Sequence, residues 1–217
     1  MTLMRTSFLY ILIFMVLGFS VAVRSQPRPI PRLAFVDAFN MNLPMGSQVM
    51  WRSISDEKLV RDGKETVLRE TFEVVSLDIW RKVSGATVGD VTKTSETIYL
   101  KGAYYCRTNG GPWTKRHVNC STASAGFFPP DYTDEGFATV EDATFEGKPA
   151  KIYAFQVGYT EPHTPSRTYK RRFQLTDAGK MTYAEGSIST AASGQVIESY
   201  TTTYEYDLNL KIEAPIE

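Results

Sequence analysis

Histidine is scarce in this chain: His117 and His163 are the only two in 217 residues. His117 sits in the charged run Lys115-Arg116-His117, and His163 in a loop that reads as exposed. Neither has partners at metal-ligand spacing, so nothing suggests a histidine-built metal centre. Cysteine is as scarce, with Cys106 and Cys120 alone. Net charge is missing too: 24 basic residues stand against 24 acidic ones. A balanced chain has no overall pull on nucleic acid or an anionic membrane. Its densest basic patch, Lys170-Arg171-Arg172, would point to alternate faces of a strand and reads as a solvated edge. No glycine-rich loop opens a helix to cradle phosphate, because Asn109-Gly110-Gly111 reads as a turn. The acids are scattered, without the pairing of glycoside chemistry. These gaps argue for a protein that is not an enzyme and has no cofactor, metal or nucleic-acid partner.

One long apolar run exists, Ser7 to Val23, after the single charge of Arg5. It is about 17 residues, slightly long for a signal-peptide core and slightly short for a membrane span. It reads as a secretory leader over residues 1–25, cleaved after Ala22 or Ser25, with an uncleaved membrane anchor as the alternative. No cysteine follows the leader directly, so there is no lipobox and a lipid anchor is not expected. Removing the leader takes two arginines with it and leaves a slight acidic excess. Localisation is then exported, periplasmic or secreted. Gln26–Arg32 reads as a proline-rich linker without ladder capacity. Residues 33–217 have the length of a single domain.

Helical spacing occurs once, at Leu33, Phe35, Val36, Phe39 and Leu43. It predicts a short helix over Arg32–Asn42, stopped by Pro44. The rest reads as strands. Ser47–Ser55 and Thr66–Val83 are β-rich, with a turn at Asp62-Gly63-Lys64 and a loop at Gly85–Gly89. Hairpins are expected about Lys101-Gly102, Glu146-Gly147-Lys148 and Asp177-Ala178-Gly179. The stretch Phe127–Tyr132 is irregular and could cover something, and Glu161–Pro165 reads as an extended loop. A last strand, Gln195–Asp207, is expected to continue past a bend into Leu208–Ile212. Turns recurring every 10 to 15 or so residues argue for an antiparallel meander.

The last four strands share an aromatic face: Tyr153, Phe155, Val157 and Tyr159, then Tyr169, Phe173 and Leu175, then Met181 and Tyr183, then Val196, Tyr200, Tyr204 and Tyr206. One helix cannot cover that much apolar sheet. Such a sheet curls into a half-barrel. Tyrosine suits its inner wall, since the ring meets apolar groups while the hydroxyl reaches water. Tyr153, Phe155, Phe173, Tyr183, Tyr200 and Tyr204 are the candidate ligand-binding set. Trp51, Trp80 and Trp113 are either core or pocket lining. Arg171 shares the face of Tyr169 and Phe173; it either snorkels to the rim or holds a ligand carboxylate or phosphate. Asn119-Cys120-Ser121 matches a glycosylation sequon, meaningful only in a eukaryote.

Two exported cysteines default to a disulfide, here closing a loop of about 13 residues worth about 3 kcal/mol. The turn at Asn109 would set Cys106 opposite Thr114. The chain must then double back to bring Cys120 to Cys106, or both thiols stay free. Cys106 as a nucleophile beside His117 is the competing chemistry.

The phrases IYLKGAYYCRTNGGPW, FEGKPAKIYAF and YTTTYEYDLNLKIEAP lie in a layout of short helix and long meander. In this the chain, from Leu33 to Pro215, resembles the LolA-type lipoprotein carriers and the related LppX/LprG-type lipid-binding proteins. The resemblance implies a mainly β fold, a curved antiparallel sheet wrapped part-way round a hydrophobic cavity with helices as a lid. It implies a lipid, or the acyl chain of a lipoprotein, as partner. An envelope sensor of the same fold, with a closed core and a membrane-protein partner, is the alternative.

Overall fold

A computed structural model of the chain describes residues 25–42, 44, 49–61, 63–120, 136–160 and 165–215. Residues 1–24 of the leader, the Phe127–Tyr132 stretch and His163 lie outside those residues. The elements run β1 (Arg28–Ile30), α1 (Arg32–Met41), β2 (Trp51–Arg61), β3 (Lys64–Ser76), β4 (Ile79–Val88), β5 (Val91–Leu100), β6 (Ala103–Thr108), β7 (Thr114–Arg116), β8 (Phe137–Phe145), β9 (Lys148–Tyr159), β10 (Arg167–Thr176), β11 (Met181–Thr190) and β12 (Val196–Tyr206). All twelve strands form one antiparallel sheet in the order β1-β8-β9-β10-β11-β12-β2-β3-β4-β5-β6-β7. The sheet is curved and not closed into a barrel, the half-barrel expected from the sequence.

Chain connectivity favours that curvature. β7 forms one edge, while β8, the next strand in sequence, lies beside the other edge, ten strand intervals away. A flat sheet would separate them by about 48 Å at about 4.8 Å per interval. Residues 117–136 make the link, twenty residues with an extended reach of about 70 Å, so a flat sheet would take up most of that length. Bending the sheet brings its two edges within easier reach. Both edge strands, β1 and β7, are only three residues long, which limits the unpaired backbone on offer to other chains.

The tight turns set the register. Lys101 and Gly102 both have positive φ (46° and 93°) and join Leu100 to Ala103 in a two-residue hairpin. Glu146 and Gly147 do the same between Phe145 and Lys148. The turn at Asn109 places Cys106 opposite Thr114, as expected, and Cys106 is bonded to Cys120. Several readings need correction. The β-rich Thr66–Val83 stretch is two strands: it breaks at Leu77-Asp78, and β3 doubles back onto β4. Gly85 and Ala86 are mid-ladder in β4, and the true turn lies at Gly89, with φ +58°. β2 starts at Trp51 and runs to Arg61. Arg28–Ile30 of the supposed linker pairs with β8, because a proline is tolerated on an edge strand. The strand ends at Tyr206, since Asp207 turns to φ +57°, so Leu208–Ile212 does not extend it.

The two faces differ sharply. The convex face is crossed by alternating charges from β12 to β6. Arg52 links Glu205 (3.2 Å) to Glu73 (2.7 Å), Arg81 bonds Glu96 (2.7 Å), and Arg107 bonds the other oxygen of Glu96 (2.7 Å). A second set joins Glu141 to Arg172 and Arg172 to Glu185. Single exposed pairs contribute little, and the pattern keeps the convex side mostly polar, with Glu96 and Ile98 buried within it. The concave face carries the apolar residues. α1 lies over β8 and β9 there, with Phe35 and Phe39 turned inward. Ten residues would not hold a helix alone in water. Burial of Phe35 (1% exposed) against Phe155 and Phe173 stabilises it. Asn42 ends it, donating from Nδ2 to the Ala38 carbonyl (2.7 Å). Its Oδ1 rests 2.7 Å from where a Cβ on Gly179 would lie, so that turn requires glycine both for space and for its φ of +74°.

Candidate functional site

The part of the concave face beneath α1 is filled. Tyr169, Phe173 and Met181 are fully buried there, and Phe155 nearly so. Tyr153 stacks on Phe173 at 4.9 Å and 6°. Phe35 and Phe39 reach Phe173 from above at 5.0 and 5.4 Å. Of the sequence-chosen residues, Tyr153, Phe155 and Phe173 therefore lie in a packed core. Arg171 joins them, 5% exposed and facing Gly186 across the ladder. The Tyr200 ring lies over Gly186, where an added Cβ would sit 2.4 Å from it. That space lets the Arg171 Nε donate to the Tyr200 hydroxyl at 2.8 Å. The guanidinium also stacks on Phe39 at 4.3 Å. Arg171 thus sits under the helix, tied to it and to β12, rather than out at the rim.

Beyond the helix, no other described helix or strand lies over the concave face. Cross-strand register aligns Tyr206, Trp51, Val74, Trp80, Tyr99 and Tyr104 in one row over β12 and β2 to β6. Phe72 leans into it. The rings touch in sequence: Trp51 to Phe72 at 5.4 Å, Phe72 to Trp80 at 5.5 Å, Trp80 to Tyr99 at 5.5 Å, and Tyr99 to Tyr104 at 4.7 Å. Trp51 is buried (3% exposed); the other four rings are half-buried. Tyr204 joins this row to the core, its ring 6.5 Å from Trp51 and packed also against the cluster under α1. A polar band borders the row: Ser53, Ser55, Ser84 and the pair Lys82–Glu70 at 2.6 Å. Phe72, Tyr99 and Tyr104 were not singled out from the sequence. The turn at Lys101-Gly102 held the signal, because a two-residue hairpin sets Tyr99 directly opposite Tyr104.

Two of the chosen aromatics face the other way. Trp113 lies on the convex side, with the Arg107 guanidinium 4.6 Å above its ring. Tyr183 is also convex, donating to Glu185 at 2.7 Å. A register shift between Gln174 and Leu175, opposite Tyr183 and Met181, puts those two residues on opposite faces. The row therefore gathers two of the three tryptophans.

Electrostatics fix what these groups can do. Burial pushes the Tyr204 hydroxyl up to about 12, aided by Tyr200. Burial likewise raises Tyr169 and Tyr200 above the ordinary tyrosine value. These hydroxyls stay protonated near neutral pH and offer hydrogen bonds, not a base. Across the ladder from Tyr200 lies Glu57, also concave. Burial raises its carboxyl, and Glu198 and Glu70 raise it further. The unfolded chain holds that proton less tightly. Folding is therefore favoured below the ordinary carboxylate range, and this contribution is lost as pH rises through the raised value. Glu57→Gln is expected to raise the melting temperature at pH 7.5, and the gain to shrink as pH falls towards 4. Thermal unfolding across that range checks it; a variant less stable at pH 7.5 refutes it.

A cleft of ≈ 450 Å³ opens past the C-terminal end of α1, with Tyr153 and Leu175 in its lining beside Asn42, Lys151 and Asp177. Among the described residues no group of three or more His, Cys, Asp or Glu is placed to hold a metal ion. Among the same residues no helix is long and apolar enough to cross a membrane.

No family model and no curated protein matches the chain. Solved structures do. A DUF1329 family protein from Desulfovibrio piger is 11% identical, with 83% of this chain and 95% of that one covered and a TM-score of 0.30. A protein described as an outer membrane lipoprotein-sorting domain, from Vibrio parahaemolyticus, is 8% identical over 82% and 93%, with a TM-score of 0.30. A LolA superfamily protein from Nitrosomonas europaea is 9% identical over 81% and 92%, with a TM-score of 0.28.

Proposed function

We propose that this protein is an exported, non-enzymatic carrier that holds a lipid, or the acyl chain of a lipoprotein, on the concave face of its half-barrel. The observation that carries the reading is the aromatic row from Trp51 to Tyr104, half-buried from Phe72 onward, which α1 does not reach. It crosses four strand intervals, about 19 Å at about 4.8 Å each, long enough to lie along an extended acyl chain. Burying such a chain yields about 25 cal/mol per Å² before ordering costs. The chain lies across the strands, with Trp51, Phe72, Trp80, Tyr99 and Tyr104 beneath it. The core under α1 is not its seat. A disulfide accords with an oxidising compartment, and the apolar leader with export to it.

The test is to purify the protein from cells, extract it with organic solvent and analyse the extract by mass spectrometry. A co-purified lipid, and binding of fluorescent fatty acids to the stripped protein, are expected. Neither lipid nor binding would sink the reading. The filled core under α1 favours a second one, an envelope sensor with a membrane-protein partner. In that case in-cell cross-linking captures a partner while the stripped protein binds no acyl probe.

A further inference from the structure

We infer that Arg116 fixes the polar end of the ligand, so that the concave face takes an acyl chain with an anionic headgroup, a carboxylate or a phosphate ester. This rests on the carrier reading. Arg116 lies directly opposite Tyr104 in the β6–β7 register, so its side chain leaves the sheet on the same concave face as the aromatic row. It stands at the row's end, on the edge strand. Exposure rises along the row: Trp51 is buried, the rings from Phe72 to Tyr104 are half-buried, and Arg116 is exposed. An amphiphile aligned with that gradient puts its tail towards Trp51 and its headgroup in water at β7.

The charge at that end is positive. Among the described residues no carboxylate pairs with Arg116, whereas Arg52, Arg81, Arg107 and Arg172 are all paired on the convex face. Lys82, also concave and beside the row, is held by Glu70 at 2.6 Å. Arg171 is buried under α1 and bonded to Tyr200. A guanidinium presents two parallel N–H donors that match a carboxylate or phosphate.

The experiment titrates the stripped full chain with hexadecanoate, hexadecyl phosphate and hexadecanol, each below its micelle concentration, and follows tryptophan fluorescence. At low salt the two anions are expected to bind about fivefold tighter than the alcohol, the scale of one exposed charge contact. Salt should erode that ratio. Arg116→Gln should bring it to about one without weakening hexadecanol, and Arg116→Lys should keep part of it. Equal binding of anion and alcohol by the native chain, or a ratio that survives R116Q, overturns the inference while leaving the carrier reading intact. Inorganic phosphate should not displace hexadecyl phosphate; displacement would mark a free-anion site and overturn the inference too. If none of the three amphiphiles binds, the carrier reading itself falls and takes the inference with it.

Discussion

Phe173→Ala should cost about 3–5 kcal/mol of stability, the usual range for a buried phenylalanine, and lower the melting temperature by about 10 °C. The ring has no exposed surface and is enclosed by Phe35, Phe39 and Tyr153. α1 has no side-chain cap at its N-terminus and is held mainly by Phe35 and Phe39, both packed on Phe173, so the cavity left behind also loosens the helix. Acyl binding should change little, because the aromatic row lies outside this cluster. The pairing of the two readouts is the point. A ligand pocket under α1 would give the reverse: a melting point within about 2 °C of native and a large loss of probe binding. That result would reinstate Tyr153, Phe155 and Phe173 as the binding site.

What could be read from the sequence was the local part. Alternation along Tyr153–Tyr159 and Tyr169–Leu175 revealed the buried face, and both sets do line the core. Turn residues at Lys101-Gly102, Asn109-Gly110 and Glu146-Gly147 gave hairpins and, with them, the facing of Cys106 and Thr114. The helix was visible because its apolar spacing has no competitor in the chain. Non-local features were hidden. The irregularity near Met181 shifts the register, and alternation cannot reveal one extra residue, so Tyr183 was assigned to the wrong face. The hairpin at Leu77-Asp78 lacks glycine and gives no turn signal, whereas the mid-strand Gly85 imitates one. Arg171 could be placed on an apolar face, but its bond to Tyr200, two strands away, depends on the open space over Gly186 on the strand between them. The aromatic row needs five strands in register at once. Only after each turn is fixed do Trp51, Val74, Trp80, Tyr99 and Tyr104 come into line.

Trp80→Ala should weaken acyl binding about thirtyfold, equivalent to about 2 kcal/mol for an apolar indole lost from the middle of the contact. Trp80 is the hinge of the row, 5.5 Å from Phe72, 5.5 Å from Tyr99 and 6.0 Å from Tyr104. Without it the row divides into Trp51 with Phe72 on one side and Tyr99 with Tyr104 on the other. Neither half is long enough to sequester a full chain from water. Trp80→Phe keeps a ring there and should lose much less. Trp113→Ala is the matched control, since it removes an indole of equal size from the convex face, where Arg107 covers it. It should leave binding as it was. Displacement of a fluorescent acyl probe is the proper readout, because each of these changes also removes a tryptophan reporter. Equal weakening by the Trp80 and Trp113 substitutions would mean that no single face holds the chain. Weakening by Trp113 alone would move the site to the outside of the sheet, where the alternating charges of Arg52, Glu73, Arg81 and Glu96 could not shelter an apolar tail.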